Sequence, residues 1–208
     1  MYQPYNENGS NRYLFSRDCL KLNFEITKDK FLTIYLNHLK SKYVDEKDPI
    51  KKAEKEKKDN KLREKQANKV ADIVLKEFKG DAFNKEDFIV LGDFNDTPDS
   101  PYLKRLVKKI GLHDVISRLG ENDRWTHWWE SKNIVSQIDH ILLSPHLAKN
   151  SPNVPYIERR GISRKIKKFS HLNSKDGKKI PFDFERFPEV NDKVEASDHC
   201  PVFFDLII

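Results

Sequence analysis

The stretch Phe88-Ile89-Val90-Leu91-Gly92-Asp93-Phe94-Asn95-Asp96 decides the fold. A short apolar run that breaks at a glycine reads as a buried strand rather than a helix. The acid and amide just beyond it stand at the strand's end, where a rigid sheet meets an exposed loop. Upstream, Leu20, Leu22, Phe24 and Ile26 alternate with Lys21, Asn23 and Glu25, the period-two pattern of a half-buried strand. Residues 27–30 turn the chain, and residues 31–36 form a second apolar run, which predicts a hairpin ending at Asn37-His38. Between hairpin and strand, Ala67, Val70, Ala71, Val74, Leu75 and Phe78 recur at helical spacing and Gly80 supplies a stop. The charged run 45–65 ahead of them reads as a solvated extension of that helix, serving solubility rather than chemistry. Downstream, Ser100-Pro101 reads as an N-cap with proline at the first helical position, Leu103, Leu106, Val107 and Ile110 on one face, and Gly111 past the end. Residues 138–143 and 201–208 complete the strands. Strands and helices so mixed predict an α/β (α+β) domain over residues 1–208, with a substantial sheet and neither repeat nor linker.

The 208 residues are one domain's worth of chain. Hydrophobic residues at 37% and aromatics at 11% exclude wholesale disorder, while 35% charged residues give an unusually charged surface. No apolar run reaches the roughly 18 residues a membrane span needs. Cys19 and Cys200 are too few for a disulfide framework and read as buried thiols, a single bridge staying open. The first ten residues have neither a basic nor an apolar region, so the sequence as given reads without a secretory signal. The formal charge is +6, yet residues 159–179 hold nine Lys and Arg against Asp176 alone, which leaves the remainder near −2. Such a basic segment suits a polyanion or an anionic membrane surface, or is simply a solvated loop.

The polar residues at strand ends are Asn37, His38, Asp93, Asn95, Asp139, Asp198 and His199. Carboxylates hold Mg²⁺, and Mn²⁺ or Ca²⁺ equally, while leaving positions for water and substrate oxygens. Imidazoles supply proton transfer and hydrogen bonds to a phosphoryl group gaining charge. The additional His or Cys ligands at close spacing that zinc favours are missing.

The strings Asn37-His38-Leu39-Lys40-Ser41, Leu91-Gly92-Asp93-Phe94-Asn95-Asp96, Gln137-Ile138-Asp139-His140-Ile141-Leu142 and Ala196-Ser197-Asp198-His199-Cys200-Pro201-Val202 resemble, in order and context, the endonuclease/exonuclease/phosphatase superfamily. The resemblance implies a four-layered α/β sandwich of the deoxyribonuclease I-like type and a divalent-metal-dependent phosphoester hydrolase using an activated water. Asp93 is then the residue that orients or deprotonates the water, with Asn95 holding it and a phosphate oxygen. Asp198, together with Asp93, stands on the metal side, and His199 contacts the scissile phosphate or activates the water. Asp139 fixes and charges that imidazole, His38 assists the leaving group, and Asn37 and Ser41 are supports on the substrate side. The family's early Gln-Glu pair, whose Glu ligates metal, has no counterpart: Gln3, Gln66 and Gln137 are followed by Pro4, Ala67 and Ile138. The sequence therefore resembles the C-terminal two-thirds of such an enzyme. Strands missing from its N-terminal side would leave a sheet edge and apolar faces uncovered.

Nucleic acid is the first substrate class. Arg159, Arg160 and Arg164 would attract phosphates, and Trp125, Trp128 and Trp129 would stack on bases, unless two of the three lie in the core. Anionic phospholipid or phosphoinositide head groups are the alternative, and a catalytically incomplete fragment that only binds anions is a third reading.

Overall fold

A computed structural model describes residues 4–7, 10–17, 19–162, 164–181, 185–191, 193 and 196–208. The chain runs β1 (Pro4–Glu7), β2 (Ser10–Tyr13), β3 (Leu20–Thr27), β4 (Lys30–His38), α1 (Pro49–Glu77), α2 (Ala82–Lys85), β5 (Asp87–Asp93) and β6 (His113–Asp114). It continues with β7 (His127–Trp129), β8 (Ile134–Ser136), β9 (Asp139–Leu143), α3 (Pro145–Asn150), β10 (Tyr156–Ile157), β11 (Leu172–Ser174), β12 (Lys179–Ile180) and β13 (Val202–Phe203). Two compact units result: Met1–Asp114 with Asp139–Pro152 and Ile207–Ile208, and Val115–Ile138 with Asn153–Leu206.

The first unit is built on a five-stranded sheet of order β3-β4-β5-β9-β6, in which only β4 and β5 are parallel. Parallel neighbours need a crossover, and α1 supplies it. Asp48 caps this helix, its carboxylate accepting from the backbone N–H groups of Ile50 and Lys51 at 2.9 and 3.0 Å, with Pro49 following. Ala67, Val70, Ala71, Val74 and Phe78 of the predicted stripe are buried with Tyr35, Phe88, Val90 and Leu142 of the sheet, whereas Leu75 is exposed. Phe78 stacks on Phe88 at 4.1 Å. A separate antiparallel hairpin joins β1 to β2.

Three expectations change. All eight residues of β3 are exposed, so the alternation marks a strand whose apolar side is not buried. The helix expected after Ser100 is a π-helical turn, Arg105–Lys109, although Leu103, Leu106 and Val107 are buried as the spacing implied. The strand expected over 201–208 shortens to β13, because side chains take its backbone groups beyond Phe203. The Asn153 amide donates to the Asp205 carbonyl at 3.1 Å, and Ser151 Oγ accepts from Ile207 N at 2.9 Å.

The second unit holds a four-stranded sheet of order β12-β11-β8-β7 and the β10–β13 pair. Its core gathers Trp125, Trp128, Val135, Ile166, Leu172 and Ile180. Trp128 Nε1 donates to Asn133 Oδ1 at 3.3 Å, and Asn133 Nδ2 donates to the His171 carbonyl at 2.9 Å. Both cysteines are buried thiols, and no disulfide joins them.

Candidate active site

Register brings three of the expected residues together. His38 ends β4 opposite Asp93 on β5, and Asp93 stands opposite Asp139 on β9, so the three form a row across adjacent strands on one face of the first unit's sheet. His38 Nε2 lies 3.3 Å from Asp93 Oδ2. Asp93 and Asp139 offer carboxylate oxygens within 4.8 Å of each other. Two carboxylates so close repel, and a hard cation relieves that repulsion by accepting oxygen from both. This oxygen-only pair fits the divalent ion that the sequence resemblance implies.

Gly92 makes the row reachable. At its φ of +130° a Cβ would stand 1.9 Å from the Asn37 carbonyl oxygen, so only glycine permits the approach of β4 to β5. Asn95 sits at φ +54°, where its backbone N–H donates to Asp93 Oδ1 at 2.7 Å and its Nδ2 donates to Asp93 Oδ2 and to the Leu39 carbonyl, each at 3.0 Å. Asp93 is thereby oriented through both oxygens. Asn37 is in register with Gly92, on the helix-covered face opposite the row, buried and donating to the Tyr35 carbonyl at 3.0 Å. Ser41 Oγ accepts from the Tyr43 N–H at 3.1 Å.

Beneath the row lies a buried clip that the charged run 45–65 hid. Arg63 and Asp59 are buried on α1, which corrects the reading of that run as a purely solvated extension. Arg63 Nε donates to Asp96 Oδ2 at 3.2 Å, and its Nη1 donates to the Lys40 carbonyl at 2.7 Å. One guanidinium therefore ties the loop after β4 to the loop after β5. Gln66 adds a second tie, accepting from Lys40 N at 2.7 Å and donating to the Leu14 carbonyl at 2.8 Å. Burial works against the Asp96 carboxylate, but Lys42, Ser100 and Arg63 outweigh it and hold its pKa below the ordinary 3.8. The Asp96 carbonyl meets His140 Nε2 at 2.9 Å, and His140 stacks on Phe94. Arg17, also unforeseen, lies against His38 Nε2.

The second unit carries Asp198 and His199. His199 pairs with His127 in a short antiparallel bridge, and their rings meet edge to face at 4.9 Å. His127 Nε2 lies 3.6 Å from the exposed Asp198 carboxylate. His127 was missed because His-Trp-Trp carries no recognisable spacing. Arg159 donates to the carbonyls of Asp123 and Trp125 at 2.6 and 3.0 Å and covers the Trp125 ring. Arg160 is held by both oxygens of Glu158, and this lowers the glutamate's pKa to about 2. Lys165 and Lys178 contact Glu130 and Glu121. The side chain of Arg164 lies outside the described residues. Trp125 and Trp128 are core, whereas Trp129 is 46% exposed with Lys132 Nζ 4.1 Å above its ring.

With this geometry in place, comparison with known proteins is informative. Residues 63–199 match the model of the endonuclease/exonuclease/phosphatase family. The chain belongs to that family, whose members are hydrolases acting on phosphoester bonds and generally depend on a divalent metal. Among solved structures, a β toxin from Staphylococcus aureus is similar at 19% identity and TM-score 0.50, with 88% of this chain and 54% of the toxin covered. An AP endonuclease from Archaeoglobus fulgidus is similar at 15% identity and TM-score 0.47, covering 84% of this chain and 62% of that one. The chain thus spans little more than half the length of these relatives. A search of curated proteins finds no match. The mixed α/β fold is the deoxyribonuclease I-like one.

Proposed function

We propose that the protein is a divalent-metal-dependent phosphodiesterase acting on nucleic acid. The observation that carries this reading is the in-register row His38, Asp93 and Asp139 on three adjacent strands. Asp93, oriented by Asn95, accepts a proton from water as the water oxygen bonds to phosphorus. The phosphorus bond to the leaving oxygen breaks, and protonated His38 supplies that oxygen's proton. Asp93 and Asp139 would hold the divalent ion, which when bound would screen the phosphate's charge. For Asp198 and His199 of the second unit, the family match over residues 63–199 supports a part in phosphoester chemistry. Nucleic acid is favoured among substrates by the basic segment 159–179 and the exposed Trp129 ring.

Nicking of supercoiled plasmid by the purified chain in Mg²⁺ and in EDTA tests the reading, with Asp93→Ala as the control against a contaminating nuclease. Nicking that needs the metal and vanishes in the variant supports it. Absence of nicking by a folded sample contradicts it.

A further inference from the structure

The first unit's sheet ends on β3, which pairs only with β4 among the described residues. One side of its ladder of N–H and C=O groups therefore lacks a neighbouring strand. Leu20, Leu22 and Phe24 are 37–46% exposed on one face, Ile26 at the register shift after Glu25 is 41% exposed, and Leu36, opposite Leu20, extends the apolar surface onto β4. The other face carries Lys21, Asn23 and Glu25. An exposed edge of this length with an apolar face recruits a further strand.

The order of residues along β3 selects that strand. A second β3 laid antiparallel and centred on Asn23 sets Lys21 of each copy against Glu25 of the other, Leu22 against Phe24, and Leu20 against Ile26. Both ion pairs are attractive, every apolar residue meets an apolar one, and a two-fold axis at Asn23 closes the assembly. We infer that β3 is a homodimerisation edge, on which two copies of the chain pair their β3 strands antiparallel about Asn23. Lys21 already contacts Glu77, and its partly exposed ammonium has donors for a second carboxylate. This inference does not depend on the proposed activity.

Sedimentation of the full chain tests it. The wild type is expected at twice the chain's mass. Lys21→Glu places like charges opposite each other, as does Glu25→Lys, and each alone should weaken self-association about tenfold or more. An equimolar mixture of the two variants restores both ion pairs and should form a heterodimer. A monomeric wild type, or self-association that both variants retain, overturns the inference, as it would if some other segment or partner covered this face. If either charge variant fails to fold, Asn23→Cys decides. Mild oxidation should link two copies through directly opposed thiols. Failure of Asn23→Cys to link also overturns the inference.

Discussion

The two units of this chain hold their polar residues by different means. In the first, β3, β4 and β5 run seven to nine residues, and an amphipathic helix buries one sheet face. Its row of His38, Asp93 and Asp139 lies on three adjacent strands, and the buried guanidinium of Arg63 clips together the loops that follow β4 and β5. In the second, strands run two or three residues, and side chains bonding to backbone carbonyls do much of the holding. The difference teaches where chemistry can be rigidly placed. Long strands in register fix side chains laterally, whereas short strands depend on individual hydrogen bonds.

The largest expected effect separates chemistry from scaffold. Asp93→Ala should lower phosphodiester turnover by about 10²–10⁴-fold while the circular dichroism spectrum stays that of the wild type. Next, Arg63→Ala leaves Asp96 buried without its guanidinium and should cost about 3–5 kcal/mol in urea unfolding. Third, because the folded Asp96 carboxyl titrates below 3.8, its contribution to stability is fully present above that value and is lost as pH falls through the lower, folded one. The acid limb should steepen there by up to about 1.4 kcal/mol per pH unit, and Asp96→Asn should flatten it. The smallest effect belongs to the second unit. Arg160→Ala removes an exposed ion pair with Glu158 and should leave the unfolding midpoint unchanged.

Much of the first unit was legible because burial there follows period. The stripe on α1, the hairpin of β3 and β4, and the strand leading into Asp93 all show in the spacing of apolar residues. The burial of β3 was not legible, since alternation reports a face able to be buried and not what covers it. Arg63 escaped for the opposite reason. A buried arginine within a mixed-charge run looks like its solvated neighbours until Asp96 and the Lys40 carbonyl are brought to it from other elements. In the site, residues close in sequence, such as Asp93 and Asn95, were legible as a unit. The meeting of His38, Asp93 and Asp139 is a product of strand register, which motif order alone does not contain. His127, Asp198 and His199 sit on or beside short strands held largely by side-chain contacts, and local periodicity carries little of their arrangement.

The central claim is that the row on the first unit's sheet performs metal-dependent hydrolysis. The most direct measurement is the rate of cleavage of a phosphodiester substrate against Mg²⁺ concentration for wild type and Asp139→Asn, each first shown to be folded. The account predicts saturable, EDTA-sensitive cleavage by the wild type and a variant that needs markedly more metal and turns over more slowly. Equal metal dependence and equal rate in the two proteins would contradict it.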